Sequence, residues 1–145
     1  MQSSILARLA LLILVCVELT SCATATKPDA RQTRLLGCWL GEDFQPVIGQ
    51  STKWLMNRKA DGMFTIEFRA RDGAVQREEG TWRDEGSSYT TVTIKINGEP
   101  VDQNDSQFKD TYEIRSFANG GVVYYHARMN ITFKAQQVEC PKSDA

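Results

Sequence analysis

Val123 to Lys134 reads VYYHARMNITFK. The odd positions, Val123, Tyr125, Ala127, Met129, Ile131 and Phe133, are apolar or aromatic; the positions between them are Tyr124, His126, Arg128, Asn130, Thr132 and Lys134. Successive side chains on an extended chain point to opposite faces, so this period of two predicts one long strand over 122–137 with a buried face and a wet face. Shorter runs repeat the pattern. Phe64, Ile66 and Phe68 alternate with Thr65, Glu67 and Arg69; Val92, Ile94 and Ile96 with Thr93, Lys95 and Asn97; Tyr112 and Ile114 with Thr111, Glu113 and Arg115. Ala60-Asp61-Gly62, Arg71-Asp72-Gly73, Asp84-Glu85-Gly86, Asn97-Gly98 and Asn119-Gly120-Gly121 fall between the runs, where glycine supplies the positive φ of tight turns. Strands are expected near 36–43, 52–59, 63–71, 74–83, 88–97, 108–117 and 122–137. Asp43 to Ser51, with Pro46 and Gly49, reads as a loop, and Glu99 to Gln107 as a longer polar one. No segment of this region carries a helical stripe.

Seven or eight antiparallel strands in so short a stretch must close on themselves or split into two sheets, because an open sheet leaves two unpaired edges. The cysteines favour closure. Cys38 lies in the first expected strand and Cys140 just after the last; a disulfide between them makes those strands neighbours, as they are where a barrel seals. The expected fold is therefore all-β, a small antiparallel up-and-down β-barrel over 35–140 with a short tail, 141–145.

The chain before it reads as an address. A single positive charge, Arg8, precedes the apolar block Leu9 to Val17, which suits the core of a secretory signal and is short of the ~20 residues that a bilayer span needs. Leu19-Thr20-Ser21-Cys22 follows, an aliphatic residue, two small ones and a cysteine. This resembles the lipobox of bacterial lipoproteins. The resemblance implies a signal peptide over 1–21, cleavage before Cys22, a diacylglycerol thioether on that cysteine, and acylation of the new amino terminus. One acyl chain holds a protein to a membrane only marginally, while two or three hold it durably. Ala23 occupies the position where an aspartate would signal inner-membrane retention, so in a Gram-negative host the outer membrane, facing the periplasm, is favoured. From Cys22 to Arg34 the chain lacks a hydrophobic period and reads as a lipidated cysteine with a flexible linker.

Charge narrows the partners. The chain has 17 Lys and Arg against 18 Asp and Glu, a net −1, and removal of residues 1–21 takes away one of each sign. Nothing basic remains in surplus for nucleic acid. Export to an oxidising compartment leaves Cys38 and Cys140 as the pair expected to oxidise together. Two isolated cysteines and the single histidine, His126, offer no metal-ligand spacing, and no cofactor is expected.

Leu36-Gly37-Cys38-Trp39 resembles the G-x-W signature that opens lipocalins and many small lipocalin-like bacterial lipoproteins. Asp61-Gly62-Met63-Phe64, Gly80-Thr81-Trp82 and Tyr112-Glu113-Ile114 are similar to the looser pattern of the latter group. The resemblance implies an antiparallel barrel in which Trp39 packs across the closed end beneath a basic residue of the last strand, here Arg128 or Lys134. It also implies an interior able to hold a small hydrophobic molecule or lipid.

A catalytic set is not apparent. His126 falls on the polar face of its expected strand and reads as a surface histidine. Glu78 and Glu79 are adjacent and so point to opposite faces. The serines lie at turns or in the linker, without a nucleophile elbow. The chain is not expected to be an enzyme. Trp39, Trp54, Phe64, Phe68, Trp82, Tyr112 and Tyr125 are the candidate ligand-lining residues, with Phe133 beside them; the same set equally serves to fill a barrel, since eight strands enclose just enough room for side chains or one small guest. Two functions follow: a membrane-anchored envelope lipoprotein that binds a small hydrophobic molecule or lipid, or a solid barrel whose outer surface engages an envelope protein, as an interaction module or periplasmic inhibitor.

Overall fold

The computed structural model describes residues 32–45 and 50–142. The signal peptide, Cys22 and the linker up to Arg31 lie outside the described residues. A 3-10 turn, Gln32–Leu35, leads into β1 (Gly37–Gln45), β2 (Gln50–Arg58), β3 (Met63–Ala70), β4 (Val75–Asp84), β5 (Ser88–Ile96), the two-residue β6 (Glu99–Pro100), β7 (Lys109–Ala118), β8 (Gly121–His126) and β9 (Ile131–Val138). Each long strand pairs antiparallel with the next, β4 with β5, β5 with β7, and β9 with β1. Eight strands thus close a barrel, with β6 appended to β5.

The seam is where the cysteines meet. Cys38 stands opposite Val138 across β1 and β9, and its disulfide to Cys140 spans 5.1 Å between Cα atoms. Cys38 shares the outward phase of Leu40 and Glu42, so the bridge lies on the outer wall, where Cys38 is nonetheless buried. Trp39, Gly41 and Asp43 take the inward phase. The barrel's base is the end with the 59–62, 85–87 and 119–120 turns. Its mouth is the end with the 71–74, 97–108 and 127–130 connections. Leu35 is fully buried at the base, and its carbonyl accepts a hydrogen bond of 2.9 Å from Trp39 Nε1.

Three expectations change. The run over 122–137 is two strands of opposite phase joined by Ala127 to Asn130. In β8 the even residues Val122, Tyr124 and His126 face inward, and in β9 the odd residues Phe133 and Ala135 do. Neither phase of Val122-Val123-Tyr124-Tyr125 is plainly the polar one, and the turn contains no glycine or proline. Asn130 makes the reversal, with φ 53°, a left-handed conformation that asparagine tolerates. In β5 the inward face is Tyr89, Thr91 and Thr93, leaving Val92 outward. Gly80 pairs with Thr93 but Glu79 with Lys95, so Ile94 is the extra residue of a bulge that returns Ile96 to the inner face opposite Glu78. Finally, β1 and β2 run further than expected, to Gln45 and from Gln50. Asp43, expected in a loop, is an inward strand residue paired with Thr52.

Candidate functional site: the barrel interior and its mouth

The inward phases deliver an aromatic cluster. Tyr89 stacks on Tyr112 with 4.7 Å between centroids, Tyr124 stands edge-on to both at 5.4 Å, and Phe133 stacks on Tyr124 at 5.5 Å. Trp54 approaches Tyr124 at 6.3 Å. Nearer the base, Phe64 packs under Gly80, where a Cβ would meet its ring at 2.6 Å, and Trp82 Nε1 donates to the Lys59 carbonyl at 3.0 Å. Edge-to-face and offset contacts of this kind add to the burial of large rings.

Of the residues expected to line a ligand site, Trp39, Trp54, Phe64 and Trp82 are buried inside, and Phe68 and Tyr112 are half-buried against them. Tyr125 is not part of the set. It pairs with Glu113 and Thr132 on the outer face, its ring lies under the Arg115 guanidinium and its hydroxyl donates to Asn130 Oδ1. Tyr89 and Tyr124 take its place. For Tyr124 the doubled apolar pairs of Val122–Tyr125 leave the inward tyrosine undecided until β9 is paired, and Tyr89 shares its inward phase with Thr91 and Thr93, which carry no apolar signal.

The mouth is polar. His126, expected on the surface, is 2% exposed. Its Nδ1 accepts the Met129 amide at 3.0 Å, so its Nε2 carries the proton and donates to Asp110 at 2.8 Å. The Arg128 guanidinium also binds Asp110 and reaches the Ser106 carbonyl at 2.8 Å, joining the 97–108 connection to the β8–β9 turn. Asp43 accepts from Trp54 Nε1; burial raises its carboxyl above the ordinary value, and the hydrogen bond only partly opposes this. Glu78 is raised in the same way by burial, against hydrogen bonds from Gln76 and Thr93. Glu79, its neighbour, is exposed on the opposite face. Beside Glu78 a hollow of about 470 Å³ opens among Thr52, Phe68, Ala70, Val75 and Gln76.

The base holds a cation that sequence reading missed. Arg58 continues the inward phase of Thr52, Trp54 and Met56 on β2 and is 1% exposed. Its guanidinium carbon lies 4.6 Å from the centroid of the Tyr89 ring. Among the described residues, none of its three guanidinium nitrogens has a hydrogen-bond partner. Arg128 and Lys134, the residues implied for a place over Trp39, are both exposed instead, so the buried cation of this end comes from β2 rather than the last strand. Tyr89 is pushed up to about 12 by burial, with Arg58 pulling the other way. Tyr112 and Tyr124 are raised well above the ordinary range, again by burial first. All three hydroxyls therefore stay protonated at neutral pH.

The outer wall has its own concavity. A groove of about 680 Å³ runs beside the disulfide, lined by Leu40, Leu55, Asn57, Thr65 and Pro141, with Lys53, Arg69, Arg77 and Glu67 along it. Glu67 bridges the Arg69 and Arg77 guanidinium groups at 2.6 and 2.8 Å. The Arg77 hydrogen bond leads in holding its carboxyl below the usual range. No protein-family model matches the chain, and no curated protein matches it.

Proposed function

We propose that this chain is a lipid-anchored envelope protein whose lipocalin-like barrel takes one small amphipathic or hydrophobic guest through its mouth. The hollow beside Phe68 and Val75 carries the reading, since it opens between strands directly onto inward-facing residues and joins an apolar wall to a few polar groups, Thr52, Gln76 and Glu78. The lipobox-like Leu19-Thr20-Ser21-Cys22 supports the anchor, and a barrel tethered at its amino terminus would hold its guest close to a membrane surface. Native mass spectrometry of the domain purified from a bacterial periplasm tests the guest: a retained lipid-sized mass is expected, and a clean apo mass across preparations counts against the reading. A Cys22→Ala variant tests the anchor, with expected loss of sedimentation with envelopes and altered electrophoretic mobility.

The outer groove favours a second reading. Leu40 is 45% exposed there, on a wall flanked by charges of both signs, which suits an envelope protein partner rather than an interior guest. Crosslinking from Leu55→Cys in intact envelopes would recover that partner. An unchanged crosslinking pattern after Leu40→Asp would argue against it.

A further inference from the structure

Among the described residues, the buried Arg58 guanidinium has no hydrogen-bond or ion-pair partner. Guanidinium does not shed its proton in proteins, and a charge removed from water without hydrogen bonds is costly. Three inward acids of the described residues are engaged elsewhere: Asp43 with Trp54, Glu78 with Gln76 and Thr93, Asp110 with His126 and Arg128. The fourth, Asp84, opposite Tyr89 at the base, takes the Gly86 amide on Oδ1 and keeps a buried Oδ2 without a partner, but it makes no hydrogen bond or ion pair with Arg58. The face of Tyr89 offsets part of the cost, but a π-face uses none of the five N–H donors. A forked donor set left unpaired and nine-tenths buried is what a carboxylate or phosphate would complete, through two parallel hydrogen bonds.

We propose that Arg58 receives the acidic head of an amphipathic guest at the base of the barrel, with the guest's tail running up the inner wall to the mouth at Phe68 and Val75. This rests on the guest-binding reading above and names the chemistry of the guest. Thr52 at the mouth and Arg58 at the base lie on the same face of β2, six residues and so about 20 Å apart along the strand. A strand tilt of about 40° shortens this to about 15 Å along the barrel axis, the reach of a medium-length acyl chain. In the described state the Arg58 nitrogens are closed off by packing, so entry requires the Tyr89 and Tyr124 rings to move aside and exchange ring contacts for contacts with the tail. Their hydroxyls remain donors, suited to an anion beside the guanidinium.

The test compares three probes of one chain length, dodecanoate, dodecyl phosphate and dodecanol. Each is titrated into the protein from Ala23 onward, which contains the whole closed barrel, following tryptophan fluorescence and thermal melting. At least one acid is expected to bind ten-fold or more tighter than dodecanol, and which acid does so distinguishes a carboxylate head from a phosphate head. Arg58→Met is expected to remove that preference while leaving dodecanol binding, and to melt no lower than the parent when guest-free, because the unpaired charge is gone. Arg58→Lys, which keeps the charge without the fork, should lose most of the preference. Equal binding of acids and alcohol to the parent protein overturns the head-group assignment and leaves the guest reading standing. Failure of all three probes to bind overturns the guest reading itself, and the head-group assignment with it.

Discussion

Gly41 lies directly beneath the indole of Trp54, with the two residues opposite each other on β1 and β2. A Cβ at position 41 would fall 2.1 Å from Trp54 Cζ2 and 2.3 Å from Cε2. The ring occupies the space a side chain would need, and Trp54 Nε1 is meanwhile held by Asp43, so the indole has little freedom to retreat. Gly41→Ala is therefore expected to destabilise by about 1–3 kcal/mol, the usual cost of overpacking a filled core. Chemical denaturation would measure it. A Gly41→Ala protein with an unchanged midpoint would mean that the indole moves freely and the barrel is looser than described.

The Cys38–Cys140 bridge joins positions 102 residues apart across the seam. In the chain-entropy account a loop of that length contributes about 4–5 kcal/mol by restricting the unfolded chain. The double variant Cys38→Ser, Cys140→Ser should melt several degrees lower, and reduction of the parent protein should add two hydrogens to its mass.

Asp43 and Glu78 make opposite demands on pH from those of surface carboxylates. Both are raised above their ordinary values of 3.8 and 4.5 by burial. A raised carboxyl keeps its proton longer in the folded state than in the unfolded one. Its favourable contribution is therefore present at low pH and is lost as pH rises from the ordinary value through the folded one. Asp43→Asn keeps an acceptor for Trp54 and removes the charge, and Glu78→Gln does the same for Thr93. Each should stabilise the protein at pH 7 relative to the parent, with the difference shrinking as pH falls toward 4. A difference independent of pH would show that ionisation is not its source.

His126 and Arg128 both touch Asp110, but unequal losses are expected from them. His126→Leu leaves the Met129 amide and the Asp110 carboxylate each short of a buried partner, which costs about 1–3 kcal/mol per unsatisfied group. Arg128 has 49% of its side chain exposed, and Arg128→Ala should cost no more than about 1 kcal/mol. Equal effects in paired denaturation curves would return His126 to the surface.

Composition and period decided a good deal here. The alternation of Phe64, Ile66 and Phe68 and of Tyr112 and Ile114, with the glycines between the runs, marks an all-β chain, because side-chain period and turn chemistry are local properties, and a cysteine near each end of the domain favours closure over two packed sheets. Position inside or outside the barrel was decided only by the assembled sheet. The bulge at Ile94 reversed the face of part of β5, and the turn at Asn130 split one apparent strand into two of opposite phase, placing Tyr124 and His126 inward and Tyr125 outward. A shift of one residue exchanges every side chain between core and solvent, and pairing across strands, not the run itself, sets that choice. Arg58 is the sharpest case. Nothing local marks an arginine that continues the phase of Thr52, Trp54 and Met56 as buried; only a closed barrel, with Tyr89 arriving from β5, puts a ring against it and leaves its donors without partners among the described residues.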